Sequence, residues 1–139
     1  MCGIVGYLGP KEPKEVILEG LKRLEYRGYD SAGVAIFDQG QYRRIRAHGK
    51  LNNLGEKLKS EKFNGHIGIG HTRWATHGVP SEQNAHPHKV KNVSIVHNGI
   101  IENFRELREE LTAKGHVFVS ETDTETVAHL VTEEMNKGH

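Results

Sequence analysis

The run His66-Ile67-Gly68-Ile69-Gly70-His71 alternates between bulky side chains and none at all, and this limits the fold more than any other stretch of the sequence. A period of two predicts a β-strand, and glycine on one face of it predicts that a neighbouring element packs close to the backbone there. The chain must therefore build a sheet with a covering layer. Other segments supply the parts. Residues 3 to 9 are a short apolar run bounded by glycine and Pro10, which reads as a buried strand. Pro13 opens a helical pattern with Ile17, Leu21 and Leu24 on one face, and Gly28 stands where it stops. Ala32 to Phe37, the turn Asp38-Gln39-Gly40 and Gln41 to Ala47 predict a hairpin.

The remainder is mixed. A short polar helix is expected over Asn53 to Ser60. Residues 74 to 92 carry Gly78, Pro80, Pro87 and no period, which predicts a long loop of the kind that usually serves function. Val93 to Val96 reads as a buried strand running into His97-Asn98-Gly99. Phe104, Leu107 and Leu111 share a helical face that ends near Gly115, and His116 to Val119 is expected to return as a strand. Thr122 to Glu125 has capping-box spacing ahead of a last helix expected to turn Val127, Leu130, Val131 and Met135 inward. Helices and strands in this order predict an α/β or α+β domain, a sheet covered by helices.

At 139 residues one domain is expected. Nineteen Lys and Arg against 18 Asp and Glu leave a net charge of +1, which gives no general affinity for nucleic acid or an anionic membrane. One cysteine allows no internal disulfide, and nothing reads as a signal peptide or membrane span, so a reducing, cytoplasmic setting is expected. Ten histidines raise the question of a metal. His66, His71, His77, His86, His88 and His97 cluster in sequence, yet neither paired zinc spacing nor a helical i, i+4 pair occurs. Neutral hydrogen-bonding histidines and no metal are the expectation.

The sole cysteine, Cys2, follows the initiator methionine. Trimming of Met1 would leave Cys2 with a free α-amine, titrating near ~7.7 to 8.0, beside a thiol near ~8.5, a nucleophile with its own base. The alternative is a small buried hydrophobe at the start of a strand. Acyl transfer would also need oxyanion donors and a substrate cradle. Asn98-Gly99 at a strand end offers an amide and an unhindered N–H, or is an ordinary turn. Arg73 could grip a carboxylate through two hydrogen bonds, or be a surface charge. Asp123 could meet an ammonium, or cap a helix. An arginine and an aspartate across one pocket would suit a free α-amino acid.

Several blocks are familiar together. Cys2-Gly3-Ile4-Val5-Gly6, Leu24 to Gly33 (LEYRGYDSAG), His71 to Gly78 (HTRWATHG), Pro80-Ser81, Asn84 to His88 (NAHPH), Val96 to Asn103 (VHNGIIEN) and Ser120 to Glu125 (SETDTE) resemble the glutaminase domain of class II glutamine amidotransferases. Within that class they resemble the branch that passes the amide nitrogen to fructose 6-phosphate. The resemblance implies an amino-terminal-nucleophile fold, a four-layer αββα sandwich, here with its later portion absent. It implies Cys2 as nucleophile toward the glutamine amide, Asn98 and Gly99 as oxyanion hole, Arg73 on the α-carboxylate and Asp123 on the α-ammonium. Thr76 and His77 would complete the loop that closes over glutamine, Trp74 is similar to a substrate-site residue beside the ammonia exit path, and Arg27-Gly28 would flank the nucleophile. No cofactor is implied. Fructose 6-phosphate would bind only to isomerase domains that this sequence lacks, and a four-layer sandwich without its later strands would expose sheet edges, which favours association with another copy. A catalytically incomplete fragment that only binds glutamine or a partner, and a histidine-rich metal protein, are the rival expectations.

Overall fold

A computed structural model describes residues 2–139, so the expected removal of Met1 concerns a residue outside the described range. The strands β1 (Gly3–Leu8), β2 (Ser31–Asp38), β3 (Gln41–His48) and β4 (Ile67–Arg73) form one antiparallel sheet in the order β1-β4-β2-β3. Two helices, α1 (Pro13–Arg23) and α2 (Leu51–Lys59), cover one face of it. The alternating strand explains how. A Cβ on Gly68 would come within 2.5 Å of Ile17 Cδ1 and one on Gly70 within 2.3 Å of Ile17 Cγ2, so the bare face of β4 admits the side chains of α1. Ile17, Leu21, Val34, Ile36, Leu51, Leu54 and Leu58 are buried in that interface.

The opposite face of the sheet carries His71, Arg73, Gly33 and Ala35 at one end and Ile67, Phe37 and Leu8 at the other, because paired residues share a side. Only the first end is covered. There the 84 to 98 segment lies against the sheet, with the His86 carbonyl oxygen 2.0 Å from where a Gly33 Cβ would stand. Arg46 of β3 ties it down by donating to the carbonyls of Gln83 (2.9 Å) and Ala85 (3.0 Å). The segment forms a two-stranded ribbon of β5 (His88–Val90) and β6 (Val93–Ile95). Beyond it lie α3 (Phe104–Ala113) and α4 (Thr124–Asn136), which pack on each other and, through α4, on the ribbon. The layers therefore run helix, sheet, sheet, helix, the α+β order expected, with the second sheet reduced to a ribbon. Among the described residues no helix is long and apolar enough to cross a membrane.

Five local expectations change. The loop expected over residues 74 to 92 contains the short strand β5. The strand expected at Val93 is only half-buried. His116 to Val119 takes no regular secondary structure and joins no ladder; its Val119 and the next residue, Ser120, donate their N–H groups to the Glu125 carboxylate instead, at 2.9 and 2.7 Å. That use of Glu125 also replaces the capping box, since the N-cap of α4 is Asp123 and Thr122 Oγ1 pairs with His88 Nε2 at 2.8 Å. Finally, α4 is turned over. Its buried positions are Thr124, Glu125, Thr126, Ala128, His129 and Thr132, whereas Leu130, Val131 and Met135 face outward.

Candidate active site

Cys2 lies immediately before β1, and the β1-β4 pairing sets it beside the end of β4 and the loop that follows. Its Sγ accepts a hydrogen bond from the Trp74 N–H at 3.1 Å, and Gly3 N–H donates to Thr72 Oγ1 at 3.0 Å. Asn98 arrives from the far side, where the chain leaves β6, and its Nδ2 donates to the Cys2 carbonyl at 3.1 Å. Next to it Gly99 has a φ of +145°, a backbone setting that side chains disfavour. The cysteine is thus half-buried rather than sunk in the core, and the alternative of a plain interior hydrophobe is set aside.

A cavity of about 220 Å³ opens beside the thiol, and Cys2, Arg73, Trp74, Thr76, Gly99 and Asp123 line it. A second hollow shares part of that lining and is bordered by Cys2, Arg27, Trp74, Thr76, Asn98 and Gly99. Gly28, with φ of +76°, faces the Trp74 ring closely, 3.4 Å from the position its Cβ would take. His77 stands just behind, its Nδ1 3.9 Å from Asp123 Oδ1 and its ring edge-on to Phe104. The structure therefore brings together all ten residues singled out in the sequence.

Charge is set by burial. Arg73 is 3% exposed and its guanidinium donates to the carbonyls of His77, Gly78 and Val79, which shapes the 77–79 loop around it. Burial pulls its pKa down from the ordinary value, while the nearby Asp30, Cys2, Asp123 and Glu121 oppose the change. Asp123 is 4% exposed, and its Oδ2 accepts the Ile101 N–H at 2.7 Å. Asp30 holds the loop from the other side: its Oδ2 accepts Ala75 N–H at 2.5 Å and its own N–H donates to the Arg73 carbonyl at 2.7 Å. Opposite charges in a small enclosed space interact more strongly than in water, which suits a zwitterion.

Several residues that the sequence did not single out also belong to the site. His86, His97, Thr122 and Thr124 line the cavity. Behind them His71 and His86 stack with ring centroids 4.0 Å apart. Burial holds His71 down to about 4 and His88 to about 3, with His86 also well below its usual value for the same reason. Among the described residues no three His, Cys, Asp or Glu side chains converge as a metal-binding group would require.

A family model described as "Glutamine amidotransferase domain" matches residues 45–138. The chain belongs to the glutamine amidotransferase domain family. As such a domain it is 63% identical over 99% of its length to the glutamine–fructose-6-phosphate aminotransferase (isomerizing) of Mesorhizobium japonicum, and 56% identical over 97% to that of Pyrococcus horikoshii. In both cases it spans only 23% of the relative. Among solved structures this amidotransferase domain resembles the glutamine phosphoribosylpyrophosphate amidotransferase of B. subtilis, with a TM-score of 0.77, 27% identity and coverage of 95% of this chain and 29% of that one. A second match, described as the allosteric regulatory enzyme of purine biosynthesis, has a TM-score of 0.78 at 28% identity, with the same coverage. The αββα layering is therefore that of amino-terminal-nucleophile amidotransferases.

Proposed function

We propose that this amidotransferase domain hydrolyses the side-chain amide of glutamine through a γ-glutamyl thioester on Cys2. With Met1 removed, the α-amine takes the thiol proton and Sγ adds to the amide carbon. The carbonyl oxygen becomes an oxyanion facing the Asn98 Nδ2 and the Gly99 N–H. The C–N bond breaks, the ammonium returns its proton to the departing ammonia, and water then cleaves the thioester to glutamate. Arg73 meets the α-carboxylate and Asp123 the α-ammonium. Trp74, Thr76 and His77 form the wall over glutamine, and Arg27-Gly28 backs Trp74. No cofactor or metal enters this scheme, and a reducing cytoplasm suits a free thiol.

The observation that carries the reading is that one small cavity is lined by the only cysteine, a buried arginine, a buried aspartate and Gly99, with Asn98 bonded to the cysteine's own carbonyl. From the names of its relatives we extend it: residues 1–139 act as the amino-terminal portion of a glutaminase domain. Its ammonia passes to fructose 6-phosphate held by isomerase domains elsewhere in a longer protein, in the synthesis of glucosamine 6-phosphate. The bare half-face at Leu8, Ile67 and Phe37 supports association, with the rest of such a protein or with a second copy.

The test is intact mass before and after a glutamine-mimicking electrophile, with glutamate release followed in parallel. Protein lacking Met1 should gain one label on Cys2 and release glutamate; folded protein that takes no label contradicts the proposal. One observation favours a second reading, binding without turnover: the second sheet is only the two-stranded ribbon of β5 and β6. Glutamine binding by calorimetry with no glutamate formed would support that reading instead.

A further inference from the structure

The geometry points to His71 as the positioning residue that aims the Asn98 amide at Cys2. Its Nε2 lies 3.1 Å from the His97 carbonyl oxygen and 2.8 Å from Asn98 Oδ1. A backbone carbonyl can only accept, so Nε2 must carry the proton. That proton decides the amide. With Nε2–H as donor, Asn98 turns its oxygen to His71, and its Nδ2 is left to face the Cys2 carbonyl 3.1 Å away. Flipping the amide would set N–H against N–H at His71 and oxygen against oxygen at Cys2.

Two further features hold the tautomer. His71 Nδ1 is buried with no hydrogen-bond partner, so a proton there would be an unsatisfied donor in the interior. The ring is clamped flat against His86 at an interplanar angle of 14°. Burial also keeps the ring neutral, down to about 4, which leaves Nε2–H as the single donor at any pH where a thiol nucleophile works. A backbone carbonyl at position 97 thus sets the tautomer at 71, which sets the amide at 98, which faces the nucleophile. The effect on rate rests on the reading of Asn98 as an oxyanion donor; the effect on the amide does not.

The experiment compares the wild type with His71→Gln, whose amide nitrogen reaches the same place and can donate, and His71→Leu, which cannot. In ¹⁵N-edited spectra the wild-type His71 should show a protonated Nε2 and bare Nδ1 from pH 6 to 8; an Nδ1–H form or an imidazolium overturns the inference. The Asn98 amide protons should be restrained in the wild type and His71→Gln and averaged in His71→Leu; an unchanged signal in His71→Leu overturns it. Deleting an oxyanion donor costs about 100- to 1000-fold, so a donor present but unaimed should cost about 10- to 100-fold in kcat at unchanged KM for glutamine, recovered in His71→Gln. Equal kcat in His71→Leu with its Asn98 amide averaged sinks the reading of Asn98 as an oxyanion donor, not the role of His71. A wild type that releases no glutamate sinks the proposed function instead, while the spectra still decide the role of His71.

Discussion

Asp123 does two jobs with one carboxylate. Its Oδ2 anchors the Ile101 N–H, and among the described residues lining the cavity beside Cys2 the group itself is the acidic one. Asp123→Asn keeps an oxygen for Ile101 and removes the charge. A charge-assisted hydrogen bond to a substrate ammonium is worth about 1.5 to 3 kcal/mol, so KM for glutamine should rise about 10- to 100-fold with little change in kcat. Steady-state kinetics check this, and a fall in kcat alone would count against the assignment. At this scale Cys2, Arg73, Asn98 and Asp123 were legible as candidates because each stands in a recognisable block. His71 stands in one of those blocks too, yet its task was hidden. A histidine's tautomer is set by whatever carbonyl the fold brings to it, and His97 comes from 26 positions away.

Contact between the two sheets depends on one missing side chain. Gly33 lets the His86 carbonyl come so near that any Cβ would overlap it. Gly33→Ala should push the 84–88 segment off β2, cost about 1 to 3 kcal/mol as overpacking does, and part the His71-His86 stack. Urea unfolding measures the first effect and loss of the ring-stacking shifts the second. The hairpin was legible in advance from its apolar run and turn, and α1 and the glycine strand from their periods. The last helix was not. Its apolar stripe looked like the inside, but Glu125, His129 and Thr132 go inside because they serve polar backbone there: Glu125 takes the N–H groups of Val119 and Ser120, and His129 bonds Glu125 at 3.0 Å. A hydrophobic pattern cannot reveal a helix whose interior face is a hydrogen-bond acceptor for its own approach segment. The same demand left residues 116 to 119 without a strand partner.

Across the whole molecule, the buried histidines make stability depend on pH. In the unfolded chain these rings titrate near 6.5, whereas the native values are about 4 for His71, about 3 for His88 and well below normal for His86. Below 6.5 the unfolded chain therefore binds more protons than the native one, and stability falls as pH falls toward 4. Each ring contributes up to about 1.4 kcal/mol per pH unit in that interval. Urea titrations at pH 7 and pH 5 should show a clear loss at pH 5; equal stability at both would mean that the rings are charged when folded. A different dependence follows from where the nucleophile is strung. Cys2 hangs from β1, the rim of the four-stranded sheet, held by the Gly3-Thr72 pairing and with Ile4 and Leu8 open to solvent. Rim strands peel first under mild denaturation. Labelling of Cys2 by a glutamine-mimicking electrophile should therefore fade while most of the fold is still standing, because losing β1 carries the thiol away from Arg73 and Asp123.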